Sequence, residues 1–235
     1  MVKNVSFKDA RDGVADCLKC SLRESVLFAE LKEEDFEQLH DPIDQYTLPA
    51  GSTLYHAGDK GDRMYTVRTG TLKLVQSLPD GSQRIVRLIR TTDITGLECI
   101  VGEPYQHDAV VLQETEVCAL PVRVVENLSN DNPALYRELL NRWHRALNEA
   151  DAWLTELSTG SAKQRVARLL LRLVKDTEES QCSLFAREDM GAMLGITTET
   201  ASRTIAEFKR QSLLVETTPN QFLLDIPNLQ RIAED

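Results

Sequence analysis

From Gln45 to Leu120 the chain is a succession of short apolar runs, each cut off within a few residues. The runs are Tyr46 to Leu48, Thr53 to Tyr55, Met64 to Val67, Leu72 to Val75, Ile85 to Ile89, Ala109 to Leu112 and Glu116 to Leu120. The cuts are Pro49 to Gly51, Gly58 to Asp62, Gly70 and the pair Asp80 and Gly81. Strands this short and this regularly punctuated predict an antiparallel sandwich or barrel. Asp80 and Gly81 between two such runs are a hairpin signal. The barrel is expected to end near Asn127. Ahead of it, residues 1–16 show no apolar period and read as a loose arm. Leu27, Phe28, Leu31, Phe36 and Leu39 then suggest one or two short helices.

After the barrel, Asn130 to Pro133 is a turn and helix start, with Pro133 near the first helical position. A long helix follows to about Ser158. Its apolar residues fall in two stripes. One is Leu139, Trp143, Ala146, Ala150, Trp153 and Leu157; the other is Leu140, Trp143, Leu147, Ala150, Leu154 and Leu157. A helix apolar this broadly must bury two sides. One side would lie on its own barrel and the other against a second copy. The alternative is burial wholly within one chain. Which stripe would form the dimer seam stays open, since Trp143, Ala150 and Leu157 belong to both. Ala150, between Glu149 and Asp151, would pair closely without bringing a charge into the seam.

Ser158 to Gly160 breaks this helix, and Ala162 to Lys175 forms the next. A polar loop, 176–181, and a possible short strand, Cys182 to Phe185, lead to a helix-turn-helix pattern. Asp189 to Gly195 reads as its first helix and turn, and Thr197 to Phe208 as its second helix. Gly195 suits a left-handed turn, and Gly191 leaves room for the second helix to cross closely. Ile196 and Ala201 are apolar where the helices must touch. Thr197 is a natural N-cap and Thr200 a weaker one. Glu199, Ser202 and Arg203, with Thr198 beside them, share one exposed face. An acceptor, a hydroxyl and a five-donor guanidinium on one face suit base edges in a major groove. The bland alternative is a solvated face with an ordinary Glu–Arg pair. Leu213 to Val215, Pro219, Asn220 and Phe222 to Leu224 read as a hairpin, hence a wing. The chain is therefore expected to be α+β: an arm with a CxxC motif over 1–26, a β-roll over 27–130, a dimerisation helix over 131–160 and a winged helix-turn-helix over 161–235.

Charge narrows the partners. With 27 Lys and Arg against 37 Asp and Glu the net charge is −10, which excludes a generally basic, coating nucleic-acid binder. DNA contact would need a local patch. Lys163, Arg165, Arg168, Arg172 and Lys175 offer one, extended by Lys209 and Arg210. No apolar run approaches the ~20 residues of a membrane span, and the polar N-terminus is not a signal peptide. A cytoplasmic protein is expected, and its five cysteines, an odd count, suggest thiols rather than a disulfide framework. The four histidines are scattered, with no His-x-His spacing.

These pieces together resemble the CRP/FNR family of bacterial transcription regulators over nearly the whole chain. Pro49 to Gly51, Gly58, Asp59, Met64, Tyr65, Val67 and Gly70 match that family's cyclic-nucleotide-binding-type β-roll. Glu199, Ser202 and Arg203 match the E-x-x-S-R pattern of the FNR branch. The resemblance implies a half-site TTGAT, with Arg203 on the guanine, Glu199 on its paired cytosine and Ser202 on a neighbouring thymine. It also implies a homodimer and contact with RNA polymerase, for which the turn Asp80 to Ser82 is a candidate surface. Family members that bind cyclic AMP carry Gly-Glu-Leu followed by Arg-Ser. Here Gly96, Leu97 and Glu98 have the order altered, and no arginine lies between Gly96 and Ala109, so cyclic AMP is not expected. The FNR branch holds a [4Fe–4S] cluster on four cysteines. Cys17, Cys20 and Cys118 stand at ligand positions, but the remaining one is Val26. Asp16, Glu24, a water or an exogenous ligand could be the fourth ligand, and Cys99 only if its part of the barrel lies close. The bland alternatives are a surface pair or redox dithiol for Cys17 and Cys20, and a packed side chain for Cys118. Cys99 and Cys182 read as core. The expected input is oxygen or redox state. The alternatives are an organic ligand in the roll, or none, behind the same reading head, and, remotely, a cupin-like enzyme, for which the His/Glu metal triad is missing.

Overall fold

The computed structural model describes residues 11–15, 20, 22, 27, 42–174 and 180–234. Cys17, Val26, the short helices expected after Leu27 and most of the polar loop before Ser180 lie outside the described residues. The chain forms two compact units, one made of the chain up to Gln76 and Val86–Asn148, the other of Ser77–Ile85 and Glu149–Asp235.

The first unit is an antiparallel β-roll. Its strands are β1 (Arg11–Val14), β2 (Asp44–Leu48), β3 (Thr53–Tyr55), β4 (Arg63–Ser77), β5 (Gln83–Arg90), β6 (Ile94–Thr95) and β7 (Asp108–Pro121). The sheet order is β1-β2-β7-β4-β5, with β3 also on β7 and β6 on β4. Two expectations change. The arm is not wholly loose, because Arg11–Val14 pairs with β2 at the sheet edge. Gly70 bends a strand instead of ending one. At φ 85° it sits so close to β7 that a Cβ would meet the Glu114 carbonyl oxygen at 2.3 Å. The β4–β7 register shifts on either side of it, which is how a bulge bends a long pair without breaking it. The runs on each side therefore fuse into single strands of 15 and 14 residues. The hairpin at Asp80 and Gly81 forms as expected, closed by Leu78 N–H to the Ser82 carbonyl at 2.8 Å.

Inside the roll Met64, Val67, Leu72, Ala109, Val117 and Ala119 are fully buried, each larger side chain among them contributing roughly 1.5–3 kcal/mol. Tyr55 stacks on Tyr105, ring centroids 3.8 Å apart, and lies 5.9 Å from Tyr65. The barrel ends at Pro121, earlier than expected. Helix α1 (Val122–Asp131) follows at once, burying Val122, Val124, Val125 and Leu128.

Helix α2 (Pro133–Ala152) opens on Pro133, and the Asn132 side chain accepts from the amides of Ala134 and Leu135 at 3.0 and 3.3 Å. Its inner side carries Leu135, Leu139 and Arg142, all buried. Arg142 donates to the Thr92 carbonyl at 2.6 Å and to Glu138 at 2.6 Å, so its charge is satisfied. The outer side carries Tyr136, Leu140, Trp143, Leu147 and, past the helix end, Leu154, exposed by 42–66%. Of the two stripes, the second is therefore the uncovered one. Leu157 is a correction to both: it is fully buried within its own chain and has no surface left to offer a seam.

In the second unit α2 runs into a π-helical turn, Trp153–Leu157. Helix α3 (Ala162–Val174), strand β8 (Gln181–Ser183), helices α4 (Arg187–Leu194) and α5 (Thr198–Arg210), and the hairpin β9 (Leu214–Thr218) and β10 (Gln221–Leu224) follow as foreseen. The three strands pair in the order β8-β10-β9, which makes the unit a winged helix-turn-helix. A last helix, α6 (Ile226–Glu234), was not foreseen. It buries Leu229 and Ala233.

Candidate nucleic-acid interface

The turn between α4 and α5 is built from glycines. Gly195 adopts φ 61° and ψ 42°, and its N–H closes the end of α4 on the Gly191 carbonyl. Gly191 is needed for closeness rather than conformation: a Cβ there would meet the Ile196 carbonyl oxygen at 2.7 Å. Gly191→Val is expected to cost about 1–3 kcal/mol by overpacking and to weaken specific DNA binding, read by thermal unfolding and by anisotropy of a labelled duplex. An unchanged unfolding temperature would show that the turn has slack.

Helix α5 starts where the sequence places it. Thr197 is extended, and its Oγ1 accepts from the Thr200 amide at 3.1 Å, satisfying one of the free donors of the first turn. Ala201, Thr204, Ile205 and Phe208 are buried against the domain. Thr198, Glu199, Ser202 and Arg203 point to solvent on the opposite side. The Glu199 and Arg203 side chains are 76% and 71% exposed and 3.7 Å apart. That distance is beyond a hydrogen bond, and an exposed pair of this kind contributes little. Both groups can therefore turn to other partners.

The cations foreseen as a basic patch along α3 have partners within the domain. Lys163 binds Glu207 at 2.6 Å and holds that carboxyl below its ordinary range. Arg165 donates to the Leu194 carbonyl at 2.7 Å, capping α4. Arg168 donates to the carbonyls of Ala233, Glu156 and Thr159. Arg172 pairs with Glu149 and Glu156. Lys209 reaches Glu216 at 3.1 Å and sits 4.4 Å over the Phe222 ring. These cations hold the domain together. Lys175 lies outside the described residues.

The thiols divide in two. Cys99 and Cys182 are buried, and burial pushes each thiol up to about 11, so neither is an available thiolate at neutral pH. Cys118 lies half-buried on β7, opposite Gln45 of β2 and Thr66 of β4. Gly13 of β1 pairs with that same Gln45, so the arm runs two strands from Cys118, about 10 Å at ordinary strand spacing. The Ala15 amide is held by the Ile43 carbonyl at 2.7 Å, two residues before Cys17. The described part of the arm thus lies within two strands of Cys118. A four-cysteine cluster nevertheless does not fit, because position 26 carries valine. Among the described residues no three His, Cys, Asp or Glu side chains gather as a metal site.

At the position where the family holds a cyclic phosphate, Gly96 (φ 80°) opens a single 3-10 turn, Leu97–Val101. Tyr105 packs over it and donates to the Arg63 carbonyl at 2.7 Å. His107 stays below its usual range through burial, aided by Arg87, so it is neutral and does not replace the missing arginine.

A β-roll of this kind joined to a winged head with an uncovered reading helix defines a DNA-binding transcription regulator. The family profile of the cyclic nucleotide-binding domain matches residues 46–132, and that of the Crp-like helix-turn-helix domain matches residues 164–232. The chain is 28% identical to the transcriptional activator protein Anr of Pseudomonas protegens, over 93% of each chain. It is 27% identical to the fumarate and nitrate reduction regulatory protein of Vibrio cholerae, over 84% of this chain and 82% of that one. Its fold is similar to that of FixK2 from Bradyrhizobium japonicum, with a TM-score of 0.74 at 24% identity, covering 80% of this chain and 96% of that one. The chain belongs to the CRP/FNR family of transcription regulators, and it is not an enzyme; the cupin reading falls with that. Among the described residues no helix is long and apolar enough to cross a membrane.

Proposed function

We propose that the protein is a homodimeric, sequence-specific regulator that reads TTGAT-N4-ATCAA. The observation that carries the reading is the face of α5, where Glu199, Ser202 and Arg203 are exposed together on a helix capped by Thr197. Arg203 donates to guanine O6 and N7, Glu199 accepts from cytosine N4, and Ser202 with Thr198 flanks them. A palindromic site needs two heads one helical turn apart. The uncovered row Leu140, Trp143, Leu147, Ala150 and Leu154 supplies the seam that joins two copies.

The input is oxygen or redox state, acting on Cys17, Cys20 and Cys118 as ligands of an iron–sulfur centre or as thiols. Contact with RNA polymerase is assigned to the hairpin tip, where Asp80 accepts from the Ser82 amide and hydroxyl at 2.9 and 2.6 Å, keeping an acidic turn in one shape. Cyclic AMP is not the effector, since Gly96 to Ala109 offers its phosphate no arginine. Valine at position 26 favours, as the second reading, the same head with an organic ligand in the roll or with no ligand.

Gel shifts on this duplex and on a scrambled one, with protein purified with and without air, test the proposal. Selective binding in at least one preparation is expected, and its absence in both sinks the DNA reading. Anaerobic protein carrying iron and sulfide, or binding DNA differently when its thiols are oxidised, supports the redox input. Colourless protein whose binding ignores oxidant overturns that input and leaves the second reading.

A further inference from the structure

We propose that a cleft at the foot of the roll, where α1 leaves β7, binds a small zwitterion: a free amino acid or a short peptide with an apolar body. This site lies outside the DNA-binding reading and does not depend on it.

The cleft has a volume of about 610 Å³, within the range of sites that hold small molecules. Pro42, Pro121 and Val122 give it an apolar wall, and none of its lining residues belongs to the stretch 96–108, where the family holds a cyclic phosphate.

Its rim is fixed before any ligand arrives. The Gly58 amide donates to the Tyr105 carbonyl at 2.8 Å, and the Tyr105 amide to the Asp59 carbonyl at 3.1 Å. The Tyr105 hydroxyl donates to the Arg63 carbonyl at 2.7 Å. Gly61 lies so close to Cys99 that a Cβ there would clash with its Sγ. The Val122 amide donates to the Asp62 carbonyl at 2.9 Å, which ties the start of α1 to the same loop. A site built this way loses little freedom on being filled.

Charge decides what fits. Lys60, Arg63 and Arg123 stand around the cleft together with Asp62 and Glu126. Arg63 spends one N–H on Asp44, at 3.2 Å, and has donors to spare. Among the described residues Lys60, Asp62 and Glu126 are exposed and form no ion pair. The two signs therefore share one cleft without these three neutralising each other. A purely anionic ligand would meet two carboxylates, and a purely cationic one three cations; like charges brought together select against both. A ligand with one carboxylate and one ammonium suits both signs. Its carboxylate accepts from Lys60 and Arg63, and its ammonium donates to Asp62 and Glu126, all as charge-assisted hydrogen bonds. Its apolar body lies on the two prolines and Val122.

The test uses the whole protein without DNA. It is titrated with each of the common L-amino acids and with the dipeptide Leu-Leu, up to roughly 10 mM, and binding is read by calorimetry and thermal unfolding. At least one probe is expected to bind and to raise the unfolding temperature, and the tighter of the two kinds tells a free amino acid from a peptide. Two analogues of the binder follow: its N-acetyl derivative, which lacks the ammonium, and its amide, which lacks the carboxylate. Each is expected to bind roughly tenfold more weakly. Lys60→Met and Glu126→Gln remove charges that have no partner, so the unliganded protein should unfold as the parent does, while each variant weakens the binder about fivefold or more. Absence of binding by every probe, analogues that bind as well as their parent compound, or unchanged affinity in both variants overturns the site. None of these results touches the DNA reading, which stands or falls on its own duplexes.

Discussion

Leu147→Asp is expected to convert the protein to a monomer and to remove most of its specific DNA binding. Leu147 is 55% exposed at the centre of the uncovered row on α2, between Trp143 and Leu154. In a two-fold interface every substitution counts twice. Losing two leucines from a desolvated seam costs roughly 3–6 kcal/mol, and the two carboxylates add a desolvation cost of their own. A loss of about 3–6 kcal/mol is on the order of a hundredfold to ten-thousandfold in the dimer constant. The roll's core uses Leu135 and Leu139 on the other side of the helix, so the variant's folded far-ultraviolet spectrum and unfolding temperature should survive. Sedimentation equilibrium reads the association, and duplex anisotropy reads the binding. A Leu147→Asp protein that remains dimeric would place the seam elsewhere.

Arg203→Ala is expected to cost about 1–3 kcal/mol of specific binding and to relax the preference at the guanine of TTGAT. The side chain is 71% exposed and pairs loosely with Glu199, so truncation is expected to leave the domain's packing untouched. The signature is selectivity: affinity for duplexes altered at the guanine should hardly change, while the parent site loses its advantage. Measured across the four bases at that position, an equal loss for every duplex would make Arg203 a phosphate contact and refute the assignment. Glu199→Gln should weaken the preference at the paired cytosine less, since an amide oxygen can still accept from N4 without the charge.

The reading helix was legible because its signals are local. A capping threonine, a close-packing glycine and a left-handed glycine sit within seven residues, and each has one structural use there. The short strands were legible for the same reason, but their joining was not. Gly70 looks like a turn until the opposite strand is known, and only the Glu114 carbonyl beside it shows that it bends a strand. The arginines of α3 misled for a related reason. Charge is visible in sequence, but whether a guanidinium faces solvent or the carbonyls of Leu194 and Ala233 depends on helices that pack from elsewhere. The spacing of Arg165, Arg168 and Arg172, along a helix with few polar neighbours, is the one hint that they line a single side. The choice between stripes on α2 needed the roll in place to cover Leu139 and leave Leu140 bare. The π turn has no sequence signature, because a run of Trp, Leu, Thr, Glu and Leu suits an α-helix equally well.

The inward commitment of those arginines bears on how such a protein finds its site. Between Ser161 and the end of the chain there are ten Lys and Arg residues against eleven Asp and Glu, and the cations of α3 are spent on internal partners. Fewer phosphates are then expected to be neutralised, so the affinity should vary only gently with ionic strength. Loose, sequence-blind sliding along the genome is correspondingly weak. On the proposed reading, such a regulator should lose little of its population to the wrong DNA and should depend on half-sites close to ideal.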